Sequence, residues 1–132
     1  YIIKHYEIIR KVTEPVVLAA AWKPGWSTDF DSVLLCEDYG VHEVINLSNI
    51  DQVFDKDPKH FSDAKPIDKI SWKKFRKLVG NEWIPGMNAP FDPVASKKAE
   101  ELGTKVVVLN GENFENLENY MSGKKFVGTV IE

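Results

Sequence analysis

Apolar residues in this chain gather in short runs that stop abruptly at polar, glycine- or proline-containing segments. Residues 16–21 are a continuous apolar run ending, after Trp22, in Lys23-Pro24-Gly25, the pattern of a buried parallel strand emptying into a loop. A helix is expected next: Ser27, Thr28 or Asp29 can cap its start, Val33, Leu34 and Cys36 supply an apolar stripe, and Gly40 is a C-terminal stop. Residues 41–47 read as a second strand, with Val44, Ile45 and Leu47 apolar and Asn46 interrupting where a loop begins. Strand, helix and strand make a βαβ unit with a right-handed crossover, so the loops leaving its two strands share one end of the sheet.

The same spacings continue downstream. Residues 70–79 predict an amphipathic helix, and residues 80–90 a Pro- and Gly-punctuated connection containing Trp83 and Met87. Residues 92–102 predict a third helix, with Pro93 in its first turn, Ala95, Ala99 and Leu102 inward, and Gly103 as its stop. Residues 105–109, three valines and a leucine, predict a doubly buried central strand. Residues 114–121 predict a final helix, and residues 126–131 a last strand at a sheet edge. Pro15 marks a boundary. Before it, Ile2, Ile3, Tyr6 and Ile9 recur loosely at helical spacing and predict a short helix. Alternating strands and helices place the chain in the α/β class with a mostly parallel sheet, and its 132 residues form a single domain.

Composition narrows the partners. A net charge of -3 and a pI near 5.7 give no footprint for nucleic acid. The basic cluster Lys69, Lys73, Lys74, Arg76 and Lys77 alternates with Trp72, Phe75 and Leu78 and reads as the solvated face of a helix. No apolar run approaches the roughly 20 residues that span a bilayer, and residues 1–10 lack the apolar segment of a secretory signal. The expectation is a cytoplasmic protein with no membrane partner. The start at Tyr1 rather than Met suggests a fragment. Cys36, the one cysteine, has apolar neighbours that suggest a buried, inert thiol.

Candidate chemistry lies in two loops. There is no Gly-x-Gly-x-x-Gly after a strand and no Gly-x-x-x-x-Gly-Lys-Ser/Thr. His5, His42 and His60 are scattered, so no metal site is expected. In Trp22-Lys23-Pro24-Gly25-Trp26-Ser27-Thr28-Asp29, glycine permits close backbone approach and two hydroxyls stand at the start of a helix, where amides and the macrodipole attract phosphate. The same three polar residues could simply cap the helix. In the second loop, Asn46 to Pro58, Ser48 and Asn49 follow the strand, Phe54 could lie against a base, and Asp57 could accept from a ribose hydroxyl or an exocyclic amine. Alternatively Asp51, Asp55 and Asp57 form turns and Phe54 plugs the core.

Taken in order, these two loops, Asp63-Ala64-Lys65-Pro66, Asn88-Ala89-Pro90-Phe91-Asp92-Pro93-Val94-Ala95 and residues 106–111 resemble the carboxy-terminal half of a uridylate kinase of the amino-acid kinase superfamily. The resemblance implies a three-layer αβα fold of the amino-acid kinase (carbamate kinase-like) type, incomplete here. It also implies phosphoryl transfer from ATP to UMP, with Mg2+ carried by the nucleotide, in a homo-oligomer that is a hexamer in the family. It assigns Lys23, Gly25, Trp26, Ser27 and Thr28 to UMP, Ser48, Phe54 and Asp57 to ATP, and Asp29 to the acidic position near the transferring phosphate. Gln52 stands where many relatives have glycine, and Trp22, Lys23 and Gly25 depart from the common bacterial loop. The family's amino-terminal lysine and glycine-rich phosphate turn have no counterpart in these residues, so the isolated chain is expected not to turn over. Two alternatives stay open: a relative acting on another acceptor, or a non-catalytic nucleotide-binding or assembly module.

Overall fold

The computed structural model describes residues 2–3, 11–82 and 89–132. Its centre is a four-stranded sheet in the order β3 (Glu43–Ser48), β7 (Lys105–Asn110), β8 (Thr129–Ile131), β6 (Lys69–Ile70). Two of the three pairings are parallel, β3 with β7 and β6 with β8, while β7 and β8 run antiparallel. The valine run of β7 sits in the middle as expected, with Val106, Val107, Val108 and Leu109 wholly buried. Alternation along the strand sends Val106 and Val108 to one face. There they meet Val33 of α1 (Thr28–Tyr39), Phe75 of α2 (Trp72–Val79), and Ala95 and Ala99 of α3 (Pro93–Leu102). The small alanines let α3 pack closely between the other two helices. On the opposite face, α4 (Phe114–Met121) packs on β7, and the Tyr120 hydroxyl donates to Glu43 at 2.9 Å beside the Lys105–Glu43 ion pair.

Helix boundaries follow the local chemistry. Ser27 caps α1, its Oγ accepting from the Phe30 amide at 3.1 Å, and Gly40 ends the helix in the left-handed region at φ 63°. Asp92 caps α3, and Pro93 fills the first turn, where its missing N–H costs nothing. Cys36 is buried, and that burial raises its thiol pKa. The cationic residues of α2 point outward, with Arg76 paired to Glu100 at 2.5 Å; Leu78 joins them in solvent while Val79 turns in.

Several expectations need correction. Ile2–Ile3, read as part of a helix, form strand β1, a pair of β-branched residues aligned in parallel with β2 (Leu18–Ala19); Tyr6 and Ile9 lie outside the described residues. The run at residues 16–21 is not a buried strand. It shortens to β2, its Val16 and Leu18 are more than 60% exposed, and it hydrogen-bonds to β1 rather than β3, so the expected βαβ pair is not made of neighbouring strands. Apolar content alone does not bury a strand; β2 borders an apolar cleft of about 240 Å³ that it shares with Leu35, Cys36 and Tyr39 of α1. The last strand is not at an edge, because β6 adds outside it in parallel. Ile70, read as helical, belongs to β6, and α2 starts two residues later after Ser71. Trp83 and Met87 lie outside the described residues.

Candidate functional site

Connectivity decides where the loops meet. Only three residues separate α1 from β3, and two separate α3 from β7, so each helix runs back beside the strand that follows it. The starts of both helices therefore stand at the carboxyl ends of a parallel strand pair, the end at which open α/β sheets hold ligands. Asn46 confirms the geometry, its Nδ2 reaching from β3 to the Pro90 carbonyl at 3.0 Å.

A knot of short polar side chains ties the two helix starts together. The Ser27 hydroxyl donates to Asp92 Oδ2 while accepting from Phe30. Asp92 Oδ1 accepts from the Val94 and Ala95 amides at 2.6 and 3.0 Å, and the Asp92 amide donates to Asp29 Oδ2 at 2.9 Å. Burial raises the Asp29 carboxyl pKa above its usual 3.8; the hydrogen bond from the Asp92 amide pulls it down, and the Asp92 charge pushes it up again. Ser27 and Asp29 thus lie together, as the sequence suggested, and Ser27 acts as a cap.

The loop before the knot is equally defined. Trp26 N donates to Lys23 O at 3.1 Å across a turn with Pro24 and Gly25 at its centre, and Gly25 has φ 85°. Those positions make it a type II turn, which favours proline first and glycine second. Trp22, Trp26 and Phe30 stack edge to face with centroids 5.2 and 4.9 Å apart. The Lys23 ammonium sits 3.9 Å over the Trp22 ring and 5.3 Å from that of Trp26. Thr28 opens α1 and is exposed.

The second loop is an excursion with a firm base and a wet tip. Ser48 ends β3, its carbonyl accepting from Gly111 N at 2.8 Å, which joins it to the end of β7. Asn110 Nδ2 donates to Asp51 at 2.8 Å. Gln52 Nε2 reaches Asp68 at 2.8 Å and the Gly128 carbonyl at 3.0 Å, and Thr129 Oγ1 accepts from Val53 N at 2.9 Å and donates to Ile67 O. A two-stranded ribbon, β4 (Val53–Phe54) with β5 (Pro66–Ile67), then carries the chain outward, with half-buried Phe54 paired to Pro66. At the tip Asp57 Oδ1 accepts from Lys59 N at 2.8 Å and its Oδ2 stands 3.6 Å from His60 Nε2, the behaviour of a turn former. Ser48, Phe54 and Asp57 follow one another along this excursion, and no hydrogen bond among the described residues links them.

Asp92, Asp31, Asn110 and Thr129 were missed by sequence reasoning as parts of these loops. Asp92 could have been found, since an Asp directly before a helix-opening Pro is a capping signal. Among the described residues no three His, Cys, Asp or Glu side chains converge as a metal site would need, and no helix is long and apolar enough to cross a membrane.

Residues 23–110 match the model of the amino acid kinase family. The chain is 35% identical over 108 residues to the uridylate kinase of Staphylothermus marinus, covering 82% of this chain and 48% of that one. The crystal structure of uridylate kinase from Archaeoglobus fulgidus superposes with a TM-score of 0.73 at 32% identity, over 88% of this chain and 51% of that one. An isopentenyl phosphate kinase, at a TM-score of 0.57 and 20% identity over 89% of this chain and 48% of its own, shares the fold. The chain spans about half the length of the relatives it matches.

Proposed function

From the premise that the chain belongs to the amino acid kinase family, we propose that it supplies the nucleotide-binding half of a uridylate kinase. The whole protein would move the γ-phosphoryl group of ATP to a phosphate oxygen of UMP: a new P–O bond forms, the bond to the β-phosphate bridge oxygen breaks, and UDP and ADP leave. The observation that carries this reading is the Ser27–Asp92–Asp29 knot, which fixes two helix starts side by side at the carboxyl ends of β3 and β7. Likeness to uridylate kinases in both sequence and structure supports the choice of substrate.

In this reading the Thr28 and Asp29 amides at the start of α1, ahead of the Phe30 amide that Ser27 caps, face the acceptor phosphate together with Lys23 and the glycine turn. Lys23, Gly25, Trp26, Ser27 and Thr28 make the UMP side, and Ser48, Phe54 and Asp57 the ATP side. Asp29 orders cations around the transferring group rather than acting as a base, since loose phosphoryl transfer asks mainly for positioning and charge. Mg2+ fits as a partner of the nucleotide phosphates, which it screens; the scattered carboxylates of the described residues offer it no cage of their own. We assign turnover to the longer protein, working in the cytoplasm as a homo-oligomer, and to this chain alone binding without turnover. Calorimetric titration of the chain with ATP and Mg2+ is expected to show binding, and heat no greater than dilution at millimolar nucleotide would sink the proposal. Light scattering on the whole protein tests the oligomer.

A second reading is favoured by the aromatic set Trp22, Trp26 and Phe30, which gives the acceptor loop an apolar wall. It is a sister enzyme with another phosphate or carboxylate acceptor. Assay of the full gene product against an acceptor panel separates the two, because UMP inert beside an active alternative selects the second.

A further inference from the structure

Asp31 departs from ordinary packing. It lies in the first turn of α1 with 3% of its surface exposed, among residues that are otherwise apolar or capping. One carboxylate oxygen, Oδ2, accepts from the Trp22 backbone amide at 3.1 Å; the other, Oδ1, is buried with no hydrogen-bond partner among the described residues. A buried carboxylate oxygen without a partner costs free energy that an apolar side chain of similar volume would not. Helix formation does not call for it either, since Ser27 already caps α1 and Asp29 already places a negative charge in the first turn. What Asp31 adds is a hydrogen bond that clamps Trp22 to α1.

We propose that Asp31 is a positioning residue for acceptor selection: through the Trp22 amide it closes the Trp22–Asp31 segment into a ring and so sets the acceptor loop in its bound form. The clamp holds the entrance of the loop, the glycine turn shapes its middle, and the Ser27 cap fixes its exit. Trp22 is then held where its ring meets Trp26 and lies beneath Lys23. Asp31 does not touch substrate in this scheme. It removes the freedom the loop would otherwise lose on binding, and this lowers the cost of binding the acceptor without altering the donor side. The inference rests on the reading of residues 22–29 as the acceptor loop.

The test uses the full gene product and two variants. Asp31→Leu removes both oxygens, and Asp31→Asn keeps one acceptor for the Trp22 amide. Leu is expected to raise the acceptor KM roughly tenfold while the ATP KM stays within about twofold. Asn is expected to restore the acceptor KM to near the wild-type value. Thermal melting of Asp31→Leu should match or exceed wild type, which excludes simple misfolding. Equal effects on both substrates, or no rescue by Asn, overturn the proposal. Hydrogen exchange supplies the readout independent of turnover: Asp31→Leu should speed exchange at Trp22 and leave Val106, Val107 and Val108 protected. If UMP proves inert, the uridylate reading fails by itself and Asp31 is judged on exchange, where an unchanged Trp22 amide refutes the clamp.

Discussion

The loop at residues 22–29 and the excursion at residues 48–67 both leave the same end of the fold, yet they are fastened in different ways. The first is over-determined along its length. Its entrance is clamped by a buried carboxylate, its middle is set by a proline–glycine turn, and its exit is knotted to a second helix 65 residues away in sequence. The excursion is tied to the body at its base, where Thr129 of β8 bonds Val53 and Gln52 bonds Asp68 and the Gly128 carbonyl; beyond that it is held by local bonds, Asp55 with Lys65 and the turn at Asp57, and by the exposed Lys56–Asp63 pair. Contacts at water-exposed sites contribute little, and buried, charge-assisted ones contribute much. The difference teaches that one wall of the proposed site is fastened to distant parts of the chain along its whole length, while the other is fastened to the body at its base and otherwise to itself.

The sharpest way to break this contrast is Asp92→Ala. It strips the cap from α3 and the acceptor from Ser27 in a buried setting, and is expected to cost about 3 kcal/mol in urea unfolding. Thr129→Val removes the hydroxyl that accepts from the Val53 amide and donates to the Ile67 carbonyl at the base of the excursion, leaving those two groups only their ribbon pairing, and should cost about 1 kcal/mol by the same measurement. Asp29 sets a pH test. Because its folded pKa is raised above 3.8, the native state holds more proton than the unfolded chain between that value and the raised one. Its contribution to stability therefore falls as pH climbs through that window, and urea midpoints of Asp29→Asn should lose this downward slope relative to wild type. Lys56→Ala removes only the ion pair at the tip and should move stability by less than about 0.5 kcal/mol. A loss at Lys56 matching that at Asp92 would erase the distinction.

Sequence reasoning reached the helices better than the strands. Ser27, Gly40, Asp92, Pro93 and Gly103 carry local signals, and local chemistry sets where helices begin and stop. The valine run of β7 was equally readable, because only a strand covered on both faces tolerates such continuous apolarity. Two-residue strands were not. Lys69–Ile70 and Val53–Phe54 are strands only because partners lie beside them, and pairing is not written in so short a segment. Residues 16–21 show the converse: their composition suits a buried strand, but burial depends on what covers them. At the candidate site, residue types singled out the loop that holds Ser27 and Asp29, and the structure places both in one hydrogen-bonded knot with Asp92. The clamp from Asp31 to Trp22 and the knot to Asp92 bridge distant positions, and no spacing rule announces them.

The knot at Asp92 also constrains how this fold can be altered. Two segments remote along the chain use one carboxylate, each for its own helix start, so neither segment is a separable module. Grafting the Trp22–Thr28 loop onto a relative would keep its shape only if the Asp92–Pro93 helix start travelled with it, because Ser27 caps one helix while donating to the carboxylate that caps the other.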